Sequence, residues 1–210
     1  MEKKTYNYVV NPMGIETKSM GIIESEMGEH NFDQSHLAVV KRVIHTTADF
    51  EYADLLEFSP DAISSAIEAL KAGSDIYADT NMVMAGINKR KLGELGGNVY
   101  NYVHDEDVFK EAKERAITRS MVSIEKACKN EKMKIFAIGN APTALFVLMD
   151  LIEKGKVKPA LVVGVPVGFV GAEESKEQLR KMNIPFIVVR GRKGGSPVAA
   201  TILNAIMYQI

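Results

Sequence analysis

The fold of this chain is decided by a stretch in its second half, KIFAIGNAPTALFVLMDLIE, residues 134–153. Lys134–Ile138 is a short, mainly apolar run that predicts a buried strand, and the helical pattern Pro142–Glu153 follows it after a glycine-bearing loop. The same order recurs in the predicted strands Ala160–Val165 and Phe186–Val189 and the predicted helices Ala172–Met182 and Ser196–Met207. Apolar strands that alternate with helices indicate a parallel sheet covered on both faces. We therefore predict a three-layer α/β/α fold with a mostly parallel, doubly wound sheet.

The first half of the chain is predicted to be more helical. Gln34–Thr47 has apolar residues at the spacing of an amphipathic helix. Ser59 and Pro60 suit an N-cap and a first helical position, so a second helix is predicted from there through Leu70. The other predicted elements are the strands Asp75–Ala78 and Asn98–Val103 and a long charged helix, Asp107–Lys129, with a candidate break near Ile117. Neither a repeat nor a linker divides the chain, and we expect residues 1–210 to form one domain.

The composition is that of an ordinary globular protein. Of the 210 residues, 46% are hydrophobic and 25% are charged, and the formal net charge is −1. General nucleic-acid or anionic-membrane binders usually carry a basic excess instead. Because Cys128 is the single cysteine, an intrachain disulfide and a multi-cysteine zinc site are excluded. The sequence does not start with a basic and then apolar leader, so we expect a cytoplasmic protein.

The uncharged C-terminal segment Gly194–Ile210 leaves two hypotheses open. Its 17 residues are near the lower limit for a membrane span. It also contains polar residues, among them Asn204 and Gln209, that are costly in lipid without partners. We therefore favour a buried amphipathic helix over a membrane anchor.

Motifs for nucleotides and metals are missing from the sequence. The glycine-rich segments 164–171 and 191–196 do not fit the dinucleotide fingerprint, and no phosphate-binding loop occurs. Of the four histidines, no two lie four residues apart and none has a cysteine neighbour. We therefore expect no cofactor and no protein-bound metal.

Glycines cluster in the three loops that follow the predicted strands of the second half. Seven of the sixteen glycines lie there, at positions 139, 164, 168, 171, 191, 194 and 195. Ligands of open α/β sheets bind at the carboxyl ends of the strands, so these glycines predict a place where a ligand approaches the backbone. Tight turn geometry alone is the alternative. A sparse set of basic residues could hold the carboxylates of a ligand: Lys41, Arg190, Arg192 and Lys193.

His45, near the end of the predicted helix Gln34–Thr47, is a candidate acid–base residue. Histidine exchanges protons near neutral pH, and Arg42, three residues earlier, shares its helix face. The alternative is a histidine that only stabilises the helix C-terminus, and spacing alone favours that alternative. Arg119 is likewise more often a solvated helix charge than a ligand clamp. From the residues alone, the hypothesis is an α/β domain with an anionic-ligand crevice and one acid–base histidine.

Four stretches of the chain are long and unusual enough to compare with known families. They are IGNAPTAL at 138–145, VGVPVGFVGAEESK at 163–176, VRGRKGGS at 189–196 and IETKSMGII at 15–23. Together they resemble the precorrin-8X methylmutase family of cobalamin biosynthesis, in its cobalt-free or cobalt-precorrin-8 form.

The resemblance implies an isomerase that moves a methyl group from C-11 to C-12 of (cobalt-)precorrin-8, giving hydrogenobyrinate or cobyrinate without a cofactor. It places the proton donor on His45 and substrate contacts on Ser19, Arg42 and Arg119. Five residues of the quoted stretches complete the predicted substrate contacts: Asn140, Gly168, Arg192, Gly194 and Gly195. The resemblance also implies a homodimer and a corrinoid substrate with several carboxylates, and neither nucleic acid nor membrane as a partner. Two alternatives stay open: a non-catalytic tetrapyrrole carrier and a nucleotide-dependent transferase. Whether the substrate carries cobalt is left open as well.

Overall fold

The computed structural model describes residues 11–210, with residues 12 and 13 described for their backbone only, and this part forms eleven helices and six strands. The helices are α1 (Pro12–Glu26), α2 (Gln34–Thr47), α3 (Tyr52–Leu55), α4 (Ala62–Lys71), α5 (Asn81–Gly86), α6 (Lys89–Glu94), α7 (Glu106–Glu114), α8 (Arg119–Ala127), α9 (Pro142–Glu153), α10 (Ala172–Leu179) and α11 (Ser196–Met207). The strands are β1 (Leu56–Phe58), β2 (Asp75–Ala78), β3 (Val99–Tyr100), β4 (Met133–Ile138), β5 (Leu161–Gly164) and β6 (Phe186–Val189).

The strands form one sheet in the order β1-β6-β5-β4-β2-β3. The edge strand β1 runs antiparallel to β6, with Leu56 opposite Val189, and the other four pairs of neighbours are parallel. From β2 the chain adds β3 on one side and β4, β5 and β6 on the other, so the direction of winding reverses between β2 and β4. Such a reversal opens a crevice at the carboxyl ends of the two strands.

Alternate residues of the strands point to opposite faces of the sheet and belong to two separate hydrophobic cores. Helices cover each core, so the sheet lies between two helical layers. Ile76 and Ile135 belong to the core that the sheet shares with α2, α4 and α11. Phe136 and Val162 belong to the core on the other face, shared with α8, α9 and α10. The prediction of a three-layer α/β/α fold with a mostly parallel sheet is confirmed.

The C-terminal segment forms the helix α11, which is buried in the first of these cores. Of the two hypotheses for this segment, the buried helix is therefore confirmed. Among residues 11–210, no helix combines the length and the apolar character that a membrane crossing requires.

The helix predicted to start at Ser59 starts later. Its first residue is Ala62 and its N-cap position is Asp61. The hydroxyl oxygen of Ser59 instead accepts the backbone N–H of Phe186, at 2.8 Å. The side chain of Ser59 therefore binds β6, which is distant in the sequence, and does not cap the helix as the local pattern predicted.

Two further predictions have mixed outcomes. The strand expected over Asn98–Val103 is shorter, since β3 comprises two residues. The helix expected over Asp107–Lys129 is broken near Ile117, as predicted, into α7 and α8. Ala116, with a φ of 51°, lies between the two helices in the left-handed region.

Candidate active site

The loops at the carboxyl ends of β5 and β6 are tied to each other. The N–H of Gly195 donates to the carbonyl of Val165 at 2.8 Å, and the N–H of Gly168 donates to the carbonyl of Arg192 at 3.2 Å. Gly194 and Gly195 have φ values of 145° and 121°, a region that favours glycine. The structure therefore brings four candidate site residues together. It also shows that the amides of Gly168 and Gly195 are used within the loops.

A buried carboxylate occupies the crevice between β2 and β4. Asp79 directly follows β2 and is 1% exposed. Its oxygens accept the backbone N–H groups of Gly139, Asn140 and Ala141 at 3.0, 2.8 and 2.8 Å. Burial raises the pKa of this carboxyl, and the three donors oppose the rise. Asp79 thus fixes the loop on which the candidate residue Asn140 stands exposed.

The same loop packs against the first residue of α11. A Cβ atom on Gly139 would lie 2.8 Å from the Cα atom of Ser196, so the close approach requires glycine. The hydroxyl oxygen of Thr80, next to Asp79, lies 3.1 Å from that of Ser196. The loops after β2, β4 and β6 therefore meet at the N-terminus of α11, where a helix favours negative charge.

His45 is exposed in the last turn of α2. Just beyond this turn, carboxylate oxygens of Asp49 and Glu51 lie 2.5 and 2.6 Å from Nζ of Lys193. Lys193 belongs to the loop between β6 and α11, so two ion pairs connect this glycine-rich loop to the end of the helix that carries His45. The histidine thus has an exposed imidazole on a helix end that is held beside the loops.

Ser19 and Arg42 make other contacts. The hydroxyl of Ser19 donates to the carbonyl of Ile15, one turn earlier in α1, at 2.9 Å. The guanidinium of Arg42 donates to a carboxylate oxygen of Glu16 at 2.9 Å and lies 4.5 Å from the ring centroid of Tyr208. Arg42 therefore connects α2 to α1 and stands one turn before His45, whereas the hydroxyl of Ser19 is used within its own helix.

Arg119 is exposed at the first position of α8. The preceding residue, Thr118, has its hydroxyl oxygen 3.2 Å from that of Thr143, which belongs to the first turn of α9. Because α9 begins directly after the loop that holds Asn140, Arg119 lies near the carboxyl edge of the sheet.

An apolar rim accompanies these polar groups. Phe169 and Val170, in the loop after β5, are 83% and 90% exposed. The guanidinium carbon of Arg192 lies 5.4 Å from the ring centroid of Phe169, and its Nε atom lies 3.9 Å from Glu173. Large exposed apolar side chains beside a cation suit a ligand that is both flat and negatively charged.

Three residues of this region were missed by sequence reasoning. Asp79 directly follows a buried strand, and this position could have indicated it. Lys176 lies within one of the unusual motifs, but the pattern gave it no role. Tyr52 had no sequence signal; it is 5% exposed, burial raises the pKa of its hydroxyl, and the amide of Gly194 opposes that rise.

The described part of the chain, residues 11–210, contains no group of three or more histidine, cysteine, aspartate or glutamate side chains placed to hold a metal ion. What the edge of the sheet offers is an exposed imidazole, arginines and an apolar rim on loops held by hydrogen bonds. Such an arrangement can bind a carboxylate-rich ligand and exchange a proton with it.

Comparisons with known proteins identify the family. The family Precorrin-8X methylmutase matches residues 14–209. A cobalt-precorrin-8 methylmutase of Priestia megaterium is 49% identical over 197 residues, covering 94% of this chain and 88% of the relative. A precorrin-8X methylmutase of a Sinorhizobium species is 37% identical and covers 96% of each chain.

A crystal structure of precorrin-8X methylmutase from Thermus thermophilus superposes with a TM-score of 0.85 at 36% identity, covering 93% of this chain and 96% of that one. Since both the sequence and the fold match over nearly the whole length, the family is established. The chain belongs to the precorrin-8X methylmutase family, isomerases of cobalamin biosynthesis.

Proposed function

We propose that the chain moves the methyl group at C-11 of cobalt-precorrin-8 to C-12, giving cobyrinate. The cobalt-bearing substrate is supported by the relatives: proteins named cobalt-precorrin-8 methylmutase are 49%, 46% and 46% identical to this chain, against 37% for two named precorrin-8X methylmutase. In this proposal the metal arrives inside the substrate.

The proposed chemistry needs a proton and a fixed orientation. A methyl shift around a conjugated ring is intramolecular, so the migrating group is already on the substrate. We assign the proton donor to His45, and the observation that carries this assignment is its exposed imidazole on a helix end tied to the glycine-rich loop by Lys193. Proton transfer by a positioned side chain typically accelerates a reaction about 10²–10⁴-fold.

Substrate binding is proposed to combine charge with apolar contact. Arg119 and Arg192 would bind carboxylates of the ring substituents, while Phe169 and Val170 would cover part of the macrocycle. Arg42 would bind a carboxylate in place of Glu16, which it holds at 2.9 Å in this structure. The remaining proposed contacts are Ser19, Asn140, Gly168, Gly194 and Gly195.

Assembly and location are part of the same proposal. We propose a homodimer, because exposed apolar side chains on α1, Ile15 and Ile22, could be covered by a second copy. We propose the cytoplasm as its place of action, since the single Cys128 leaves no intrachain disulfide that would call for an oxidising compartment.

An isotope crossover experiment tests the function. Cobalt-precorrin-8 with a deuterated C-11 methyl group is mixed with substrate labelled by carbon-13 in the ring, and the purified protein is added without metal, nucleotide or S-adenosylmethionine. Mass spectrometry should find each methyl label on its original ring, now at C-12. Products carrying both labels, or dependence on an added donor, would indicate a methyltransferase. Substrate binding without any turnover would indicate a carrier.

Arginine substitutions test the binding mode. Arg119→Ala and Arg42→Ala should each weaken substrate binding about 10- to 100-fold, because a charge-assisted hydrogen bond to a carboxylate is lost. Equilibrium titration at two ionic strengths measures the loss. Arg90→Ala, which removes an exposed arginine on α6, is the matched control and should bind like the wild type. Unchanged affinity in both site variants would place the carboxylates elsewhere.

A further inference from the structure

Lys176, on α10, is a buried cation to which the proposed mechanism gives no role. Its side chain is 0% exposed, and Nζ donates a hydrogen bond to the carbonyl of Lys193 at 2.7 Å. Among residues 11–210 no carboxylate lies within 4.0 Å of this ammonium. Lysine is almost never fully buried unless it is paired with an acid. The position of this lysine therefore calls for a reason other than stability.

The hydrogen bond fixes one peptide group of the glycine-rich loop. The peptide between Lys193 and Gly194 is trans, so its C=O and N–H point in roughly opposite directions. With the carbonyl directed to Lys176, the N–H of Gly194 is turned to the other side, where it neighbours the hydroxyl of Tyr52. This is also the loop in which Arg192 and the Lys193 ion pairs lie.

The 193–194 peptide needs a hydrogen bond to hold it because the two residues after it are glycines, whose backbone can adopt many conformations. Gly194 and Gly195 have φ values of 145° and 121°, and glycine can rotate away from these values at little cost. On Gly194 a Cβ atom would collide with the carbonyl oxygen of Val165, so a stiffer residue does not fit there. The loop is therefore held by hydrogen bonds, and one of them is the bond that Lys176 donates to the carbonyl of Lys193.

We propose that Lys176 is a positioning residue: it holds the 193–194 peptide so that Arg192, in the same loop, faces the substrate carboxylates. The inference rests on the proposed function of this site. Lys176 does not touch the substrate; it acts through the loop, and its buried charge adds to the attraction for an anionic ligand.

The charge of Lys176 lowers the stability of the folded protein, which argues against a purely structural role for this residue. Burial lowers the pKa of Lys176 to about 8, and Glu173 and Glu177 on the same helix oppose the decrease. The pKa of this lysine is lower in the folded protein than in the unfolded chain. At a pH between these two pKa values, the unfolded chain therefore holds the proton more tightly than the folded protein does. The charge therefore costs folding free energy at pH 7, and this cost declines as the pH rises through that window. Stability alone gives no reason for a lysine here.

Lys176→Met removes the charge and the donor while keeping the length of the side chain. In the full-length protein, KM for cobalt-precorrin-8 should rise about tenfold, and kcat should change by less than about threefold, because the loop serves binding. The melting temperature should stay within a few degrees, since the lost hydrogen bond and the relieved burial of charge offset each other. Amide hydrogen exchange at Gly195 should be faster without ligand.

The matched control is Lys181→Met, which changes an exposed lysine just after the same helix and should leave all four values unchanged. Lys176→Gln, which keeps an N–H donor without the charge, is the second variant. Unchanged KM together with unchanged exchange at Gly195 would overturn the proposal, as would loss of the folded state in both variants. The exchange measurement needs no substrate, so it tests the role of Lys176 even where the wild type proves inactive on cobalt-precorrin-8.

Discussion

Replacing His45 by alanine is expected to lower kcat for methyl transfer by about 10²–10⁴-fold, while folding and product binding are retained. The side chain is exposed at the end of α2, so its removal leaves no cavity in either core. Among residues 11–210 it also takes part in no hydrogen bond or ion pair that the change would break. The loss should therefore fall on the chemical step, where the proposed proton donor is missing.

Single-turnover absorption spectra of the corrin product measure the rate, and equilibrium titration with product measures binding. His104→Ala, which removes another exposed histidine, is the matched control and should turn over like the wild type. Wild-type turnover in His45→Ala would exclude the acid role. Simultaneous loss of folding and binding would instead assign His45 to the stability of the helix end.

The β/α units could be predicted because their signals are local. The helices Gln34–Thr47, Pro142–Glu153 and Ser196–Met207 have the predicted bounds, since each has a clear apolar pattern and two of them carry proline in their first turn. The buried strands are short apolar runs between loops, and a parallel sheet buries such runs on both faces.

The remaining elements depend on contacts that the local pattern does not contain. The three residues of β1 form a strand because Leu56 and its neighbours pair with β6, which lies far along the chain. Ser59 has a good cap signal, yet its hydroxyl binds the backbone of Phe186. In both cases a distant partner outweighs local propensity.

The candidate site shows the same limit. The glycine loops were predicted as a ligand region from their position after strands, and they do meet at the carboxyl edge of the sheet. The proposed roles of His45, Ser19 and Arg42 came from the resemblance to a family, since spacing alone favoured His45 as an ordinary residue at a helix end. That Arg42 is held by Glu16, or that Asp79 binds three amides, follows only from tertiary structure.

Asp79→Ala is expected to destabilise the protein strongly. Three backbone N–H groups, of Gly139, Asn140 and Ala141, lose their acceptor at once. Each buried donor left unsatisfied costs about 1–3 kcal/mol, so the loss is on the order of 3–9 kcal/mol, against a total stability of about 5–15 kcal/mol. At about 2–4 °C per kcal/mol, the melting temperature should fall by at least about 6 °C. Differential scanning calorimetry measures this change.

Two further variants show whether the loss of stability comes from the broken hydrogen bonds or from the removal of any carboxylate. Asp79→Asn keeps one oxygen as an acceptor but turns an NH₂ group toward backbone donors, so its destabilisation should lie between those of the wild type and Asp79→Ala. Asp61→Ala removes an exposed carboxylate that makes no side-chain cap hydrogen bond and should change the stability by less than about 0.5 kcal/mol. A fall in melting temperature of less than about 3 °C in Asp79→Ala would mean that water or other groups satisfy the three amides. The loop that carries Asn140 would then be held by its packing on Ser196 and not by the carboxylate in the crevice.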